Sequence, residues 1–314
     1  MRAFVFRRLA FLVLTVLLTS ILIFAATQLL PGDVARIILG REAGEEALAT
    51  LRTDLGLDRP AAVQYATWLG RFVRGDWGSS FGTGSAVRPL ILGRLRNSLM
   101  LAAVSLVLAV PISIALGVWA GLRPNGLVDG VISVGSLSVV GLPEFVTGIL
   151  LIEILAHRLD WLPASSSIAP ETGFLEALPF LILPALTATL VLLAYITRLT
   201  RAEVAEQMKR DYVRTATLKG LPRRIVVVKH VLRNALLPTI TVIAISVTWL
   251  VGGLIVIENV FNFPGLGRLL LFAIDRRDLP LIQGIAMLVV LTVVVANFGA
   301  DLLYAALNPR IRFK

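Results

Sequence analysis

The stretch Asp211–Pro222, DYVRTATLKGLP, lies between two long uncharged runs and decides how this chain folds. Apolar and small residues recur through it and before it at helical spacing: Ala202, Ala205, Met208, Tyr212 and Ala216. Gly220 then interrupts the pattern, and Pro222 follows. Because glycine readily takes the left-handed conformation that ends a helix and proline favours the first turn of the next, the pattern predicts two helices joined at Gly220. We call Arg198–Leu237 the elbow and expect its second helix to run from Pro222 to Leu237.

The elbow holds ten lysine and arginine residues, and this charge has two interpretations. One is a topology anchor, because basic residues concentrate in the cytoplasmic loops of membrane proteins. The other is a docking surface for a cytoplasmic partner, which explains the bend as well as the charge. The presence of the bend favours docking.

Uncharged runs on both sides of the elbow are long enough to span a bilayer, which takes about 20 apolar residues. Six segments qualify, of which the third contains two glutamates and the others are uncharged. They are Leu9–Leu30, Asn97–Leu122, Gly130–Leu155, Ala177–Thr197, Asn234–Ile257 and Leu279–Ala300. The chain is 57% apolar and 16% charged, whereas a soluble domain has roughly 45–50% and about 25%. These features predict an all-α integral membrane protein with six transmembrane helices.

The first uncharged run, Leu9–Leu30, has a secretory signal peptide as its alternative, because Arg7 and Arg8 precede it. Its 22 residues exceed the apolar region of a signal peptide, which has roughly 7–15 residues. The sequence Leu29–Asp33 offers no convincing small-residue cleavage site. The run is therefore interpreted as a membrane span.

Basic residues predict that both termini are cytoplasmic. In that orientation the cytoplasmic segments hold 17 lysines and arginines, and the short outer loops hold four, as the positive-inside rule requires. The long loop Pro31–Arg96 then lies outside. Helical patterns over Glu45–Leu55 and Pro60–Arg74 indicate that it is structured, either as a lid or as a surface that receives a substrate-delivering protein. A cysteine placed at Ser80 is expected to react from the outer face.

Composition excludes several kinds of chemistry. The chain has no cysteine, and its two histidines, His157 and His230, are 73 residues apart and form no metal-ligand cluster. None of the four lysines stands in the Gly-Lys-Ser/Thr context of a phosphate-binding loop, so ATP hydrolysis has to occur on another polypeptide. No clear repeat favours a self-sufficient secondary carrier, and no catalytic cluster within the spans favours a membrane-embedded enzyme.

Two carboxylates interrupt the third predicted span. Glu144 follows Pro143, where we expect a kink, and ionisable groups within membranes usually face the bundle interior or an aqueous cavity. Glu144 is thus a candidate for lining a transport pathway, with a carboxyl group hydrogen-bonded to a neighbouring helix as the alternative. Glu153 is close enough to the outer end to reach the interface. Glu258, at the outer end of the fifth span, is expected to be interfacial or to fix a loop.

The elbow resembles a loop that binding-protein-dependent ABC transporter permeases carry between spans four and five. That loop reads Glu-Ala-Ala-x-x-x-Gly, and the corresponding residues here are Arg214-Thr215-Ala216-x-x-x-Gly220. Further segments are similar to the oligopeptide, dipeptide and nickel branch of that family: Leu29–Asp33, Leu55–Pro60, Gly75–Ser80, Leu232–Pro238, Glu258–Phe261, Pro264–Gly267 and Asn308–Arg312. The order of these motifs along nearly the whole chain makes the resemblance specific.

The resemblance implies the type I ABC importer permease fold, in the cytoplasmic membrane of a prokaryote. It implies a second homologous permease, two ATP-binding cassette subunits and an extracytoplasmic substrate-binding protein as partners, and neither an enzyme site nor a cofactor. The elbow would be the coupling element, with these residues at the ATPase: Arg214, Thr215, Ala216, Leu218, Gly220 and Leu221. Residues 1–96 would form the first helix and outer loop, 97–307 the transmembrane domain, and 308–314 a cytoplasmic tail.

The substrate remains the least constrained feature. The branch handles peptides, nickel and glutathione, and no predicted span contains a histidine or cysteine that would bind a bare nickel ion. This favours di- or oligopeptides, with nickel and glutathione as alternatives.

Overall fold

The computed structural model describes residues 2–29, 34–40, 42–169 and 172–307. Within these ranges the chain is helical apart from one antiparallel bridge between Ser79 and Ala86. The predicted tail 308–314 and the Leu30–Asp33 part of the first-span motif lie outside the described residues.

The helices of the described ranges follow one another along the chain, with the longer connections at residues 74–86 and 159–173. They are α1 (Arg2–Gln28), α2 (Val34–Leu39), α3 (Glu45–Asp54), α4 (Ala61–Val73), α5 (Val87–Gly121), α6 (Leu127–Gly141), α7 (Glu144–Leu151), α8 (Phe174–Met208), α9 (Asp211–Leu218), α10 (Arg223–Ile225), α11 (Leu232–Gly253), α12 (Ile255–Val260), α13 (Leu266–Asp275) and α14 (Leu279–Leu307). Two π-helical stretches, Ile152–Arg158 and Val226–Val231, extend α7 and join α10 to α11.

Five helices among the described residues are long and apolar enough to cross a membrane. They cover Phe6–Gln28, Val87–Gly121, Phe174–Met208, Arg223–Val247 and Leu279–Asp301. The helical, multi-pass membrane fold predicted from the uncharged runs is confirmed. Three of these helices extend well beyond the predicted runs, two at the N-terminal end and one at the C-terminal end, because charged residues can continue a helix outside its apolar span.

The third predicted span, Gly130–Leu155, is divided at the position where the kink was expected. α6 and the helix Glu144–Arg158 are apolar enough only as a pair, and they are bent by 105°. Leu142 is extended, with φ −93° and ψ 132°, because a following proline disfavours the helical conformation. The expected kink at Pro143 is therefore a complete break, and the protein has six spans if this bent pair counts as one.

The elbow is helical, but its helices differ from the prediction. The first is not continuous: α8 ends at Met208, and α9 starts after the turn at Lys209 and Arg210. The second begins beyond Pro222 and continues through Pro238 to Gly253. Pro238 does not end the helix, since membrane helices tolerate an internal proline.

The chain divides into two compact units. The first comprises Met1–Arg96 and Arg268–Val294. In it α1 contacts α4: the hydroxyl groups of Ser20 and Tyr65 lie 2.8 Å apart, and the rings of Phe24 and Tyr65 meet edge to face. α3 and α4 confirm the two helices predicted within the long loop.

The second unit comprises Asn97–Gly267 and Val295–Lys314, and α8 forms its centre. α5 and α8 pack side by side in the same direction. Thr189 and Thr197 of α8 donate their hydroxyl groups to the carbonyl oxygens of Ser105 and Ser113, at 3.2 and 3.3 Å. One turn further, Gly117 contacts α8 so closely that a Cβ would lie 2.6 Å from the Cβ of Thr200. α5 thus supports the part of α8 that leads into the elbow.

Candidate functional site

α9 is held against the rest of the elbow by one apolar face. Asp211 is followed by the buried residues Val213 and Ala216, spaced three apart on the same side of the helix. They join a cluster that also contains Val204 of α8, Val226, Val231 and Ala235. The helix therefore packs against the π-helical stretch Val226–Val231 and shares one apolar cluster with α8 and the start of α11.

The turn after α9 confirms the conformation predicted at Gly220. Gly220 has a φ of +77°, in the left-handed region that side chains disfavour. Its N–H donates to the carbonyl oxygen of Thr217 at 3.0 Å, and the N–H of Leu221 donates to that of Ala216 at 3.4 Å. These two bonds form the Schellman motif, which satisfies carbonyl groups at the end of a helix. Leu221 also packs against the apolar cluster, so the turn is fixed on both sides.

The other face of α9 is exposed. Its side chains are Arg214, Thr215 and Leu218, with Lys219 following in the turn. Leu218 stands out because a large apolar side chain lies almost entirely in solvent. A Cβ at Gly220 would also meet open space, with no atom within 4 Å.

The corner between α8 and α9 is bridged by polar groups. The hydroxyl group of Tyr212 donates to Oε1 of Gln207 at 2.7 Å, and Arg210 lies 3.2 Å from Glu206. Both bonds link the last turn of α8 to the first residues of α9 or to the turn between them. These exposed contacts span the corner between the two helices.

The six positions predicted at the ATPase separate into two groups. Arg214, Thr215, Leu218 and Gly220 are exposed, whereas Ala216 is buried and Leu221 is half-buried in the apolar cluster. All six therefore lie in one helix and the turn after it, and four of them are exposed and accessible to a partner.

Glu144 lies at the first position of α7, directly after the 105° break, and is half-buried. Among the described residues no hydrogen bond or ion pair engages its carboxylate. A carboxylate at this position is favoured by the helix dipole, which is positive at the N-terminus.

Glu258 fixes a loop, which is one of the two roles expected for it. It is buried, accepts a hydrogen bond from Ser98 Oγ at 2.5 Å and from the N–H of Gly267 at 2.7 Å. Ser98 also receives the N–H of Leu266 at 2.9 Å. The segment after α12 is thereby closed onto α5.

The expectation that Ser80 is accessible is wrong. Ser80 is 2% exposed and donates to Asp278 Oδ2 at 2.5 Å. The same carboxylate oxygen accepts the N–H of Gly82 at 3.0 Å, while Asp278 Oδ1 receives the N–H of Leu281 at 3.3 Å. Asp278 thus caps α14 and holds the turn after Ser79, and the neighbouring Ser85 is exposed.

Both histidines lie in helices, although the sequence predicted that both would lie outside the spans. His157 is in the π-helical extension of α7, and His230 is in the π-helical stretch before α11. The prediction that no span contains a histidine is therefore wrong, because His230 lies in a candidate span and His157 in the bent pair. Within the described residues, no group of three or more His, Cys, Asp or Glu side chains is placed to hold a metal ion.

An ion pair that the sequence analysis missed joins Asp129 of α6 to Arg201 of α8, three residues before the apolar cluster begins at Val204. The two residues are 72 positions apart. The only sequence signal for this pair is the position of its members: Asp129 directly precedes the third predicted span, and Arg201 follows the end of the fourth.

Residues 113–313 match the protein family described as "Binding-protein-dependent transport system inner membrane component", and residues 1–114 match the corresponding N-terminal component. A relative in Sinorhizobium fredii, "Probable peptide ABC transporter permease protein y4tP", is 36% identical over 313 residues and 100% of both chains. The "Glutathione transport system permease protein GsiC" of Salmonella choleraesuis is 37% identical over 99% of each chain. Its namesake in Pectobacterium atrosepticum is 38% identical over 98% of each.

Proposed function

The chain belongs to the family of binding-protein-dependent transport system inner membrane components, and on this premise we propose that it forms half of the translocation pathway of an ATP-driven importer. Members of this family are transport subunits that work with an ATPase and a substrate-binding component. The finer assembly that we propose contains a second, non-identical permease, two ATP-binding cassette subunits and one extracytoplasmic binding protein. In this assembly residues 1–96 supply the first helix and outer loop, 97–307 the transmembrane domain, and 308–314 a cytoplasmic tail.

The exposed face of α9 is the observation that carries the proposal. A short helix with a buried anchor on one side and Leu218 in solvent on the other is suited to insertion into a cleft of a partner. The proposed contact positions are Arg214, Thr215, Leu218 and Gly220 at the ATPase surface. Ala216 and Leu221 support this surface from beneath, because their side chains pack into the apolar cluster.

Energy for transport is proposed to come from the partner at this surface. The lysines of the chain are not in the context of a phosphate-binding loop, and backbone amides plus a lysine are what such a loop uses to hold ATP. A movement of the ATPase on hydrolysis would reach the spans through α9, since α9 shares one apolar cluster with α8 and α11.

The orientation is part of the proposal. Seventeen basic residues lie in the proposed cytoplasmic segments and four in the short outer loops, which favours cytoplasmic termini. The long loop, with α3 and α4, then lies on the outer side and is proposed to receive the binding protein.

Glu144 is proposed to line the pathway. It follows the break in the third span, and non-helical backbone at membrane depth is tolerated where it is buried in protein or lines a water-filled cavity. A carboxylate at such a position would attract the protonated amino terminus of a peptide.

Di- or oligopeptides are the proposed substrates. The relative from Sinorhizobium fredii carries a peptide permease name, and glutathione, which appears in the names of other relatives, is itself a short peptide and stands as the second candidate. Nickel is less favoured, because the chain has no cysteine and only two histidines.

The proposal is tested by reconstitution of the chain with its partner subunits in liposomes. Uptake of labelled dipeptides, oligopeptides and glutathione should require ATP, the ATPase subunits and the binding protein. Omission of the second permease should abolish uptake. Uptake by this chain alone, driven by a proton or sodium gradient, would identify it as a secondary carrier and would overturn the proposal.

A further inference from the structure

Asp129, in the first turn of α6, is 3% exposed and binds Arg201 of α8 through two parallel contacts. Nε of Arg201 donates to Oδ1 at 2.9 Å, and Nη2 donates to Oδ2 at 2.5 Å. A guanidinium that meets a carboxylate through two bonds is held in orientation as well as in position.

The same carboxylate organises the connection between α5 and α6. Oδ2 accepts the N–H of Asn125 at 2.8 Å, and Oδ1 accepts the hydroxyl group of Ser133 at 3.2 Å. Asn125 has a φ of +64°, a left-handed conformation that asparagine tolerates better than most residues. Asp129 thus ties the connecting loop, the first turns of α6 and α8 together.

Arg201 is in turn held by α5. A Cβ at Gly121, the last residue of α5, would lie 2.8 Å from the carbonyl oxygen of Arg201 and 2.7 Å from the Cβ of Val204. Val204 is a member of the apolar cluster that anchors α9. Arg201 therefore lies where α5 and α6 both meet the segment of α8 that leads to the elbow.

We propose that Asp129 and Arg201 are positioning residues that transmit movement of the elbow to α5 and α6 during transport. The inference rests on the proposed function, in which α9 receives the ATPase. Apolar side chains that pack through small residues can slide past one another, whereas the two-bond ion pair fixes the register between α6 and α8. Without it, movement of α9 and α8 would be taken up at this contact before it reached the third span.

The alternative is that the ion pair of Asp129 and Arg201 only stabilises the fold, as a fold anchor. This alternative and the proposed transmitting role lead to different experimental results. A buried ion pair adds little net stability on average, but loss of one partner leaves a buried charge. A fold anchor therefore lowers membrane yield, hydrolysis and uptake together. A transmitting pair lowers the amount of substrate imported per ATP hydrolysed while ATPase attachment stays intact.

The experiment compares Arg201→Gln, Asp129→Asn, the double variant and Arg201→Lys in the reconstituted transporter. Arg198→Gln is the matched control, because Arg198 is exposed one turn earlier on the same helix. We expect wild-type co-purification of the ATPase and about a tenfold fall in uptake per ATP in each single charge-removing variant, a size typical of coupling between sites.

The double variant should lose no more than either single variant, because both remove the same contact. Arg201→Lys, which keeps the charge without the planar fork, should fall between these and the wild type.

Unchanged uptake per ATP in Arg201→Gln and Asp129→Asn would overturn the inference, as would losses that multiply in the double variant. A parallel fall of membrane yield, hydrolysis and uptake in every variant including Arg201→Lys would also overturn it, in favour of a fold anchor. Leu218→Glu separates this failure from that of the proposed function. If Leu218→Glu keeps ATPase attachment and uptake, the proposed docking surface is wrong; if it loses both while Arg201→Gln transports normally, only the transmitting role is wrong.

Discussion

Ala216 and Leu218 lie two residues apart in α9 and face opposite sides of it: Ala216 is 6% exposed and Leu218 is 79% exposed. Two residues correspond to about 200° of rotation around a helix. Ala216 packs against the apolar cluster of the elbow, so it anchors the helix. Leu218 contributes nothing to that cluster and is available to a partner.

Leu218→Glu should separate attachment of the ATPase from folding of the permease. The exposed side chain can be changed without loss of internal packing, but a charge in an apolar cleft of the partner would be desolvated. We expect membrane yield near that of the wild type and at least about a tenfold loss of co-purified ATPase, as for a residue at the centre of an interface.

Val73→Glu is the control for this prediction, because Val73 is 77% exposed in the long loop. It should retain the ATPase. Equal retention by both variants would show that Leu218 lies outside the interface.

Gly220→Val should impair coupling through the backbone alone. A Cβ at Gly220 meets no atom within 4 Å, so the cost comes from the left-handed conformation, about 1–2 kcal/mol for an ordinary residue and more for a β-branched one. We expect normal membrane yield with a joint fall in ATPase attachment and substrate uptake. Gly220→Asn should stay close to the wild type, since asparagine accepts this conformation. Normal uptake by Gly220→Val would show that the turn is not a coupling element.

The turn at Gly220 could be predicted because its signal is local: a glycine ends a helical pattern, and a proline follows. The position of the break at Pro143 has the same kind of local signal. The bend angle of 105° has none, since it depends on how α6 and α7 each pack on α8. The interruption of the elbow at Lys209 had no such signal. Both residues of that turn, Lys209 and Arg210, are compatible with a helix.

The proposed topology is tested by labelling at Ser85 rather than at Ser80. The chain has no cysteine, so Ser85→Cys provides a single thiol, and Ser85 is exposed whereas Ser80 is buried. An impermeant maleimide should label Ser85→Cys from the outer face of the membrane. Ser80→Cys should label slowly, because the side chain is enclosed by the Asp278 contact. Labelling of Ser85→Cys only from the cytoplasmic face would invert the topology.

Gly117→Ala should destabilise the packing of α5 on α8. A Cβ there would lie 2.6 Å from the Cβ of Thr200 and 2.8 Å from the carbonyl oxygen of Thr197, so the helices have to separate. Overpacking of this kind costs about 1–3 kcal/mol and should lower the midpoint of thermal unfolding in detergent. Gly93→Ala, at a position of α5 where a Cβ meets no atom within 4 Å, is the matched control. An unchanged midpoint for Gly117→Ala would contradict the close packing.

Side-chain partners between distant segments could not be predicted from the sequence. Asp129 and Arg201, Ser98 and Glu258, and Ser80 and Asp278 each meet across 72 to 198 residues. Hydrophobic periodicity predicts which segments are helices, but it carries no information on which polar residue of one helix faces which residue of another. Ala216 and Leu218, which the motif placed together at the ATPase, lie on opposite faces of α9.

The most direct measurement of the central claim is photocrosslinking from the exposed face of α9. Leu218→Cys, the single thiol of the protein, is modified with a benzophenone maleimide and irradiated in native membranes that hold the assembled transporter. The proposed function predicts a covalent adduct with the ATP-binding subunit, and none with it from Ser85→Cys modified in the same way. An intact, ATPase-containing transporter in which Leu218→Cys forms adducts only with lipid or with other proteins would contradict the assignment of α9 as the coupling surface.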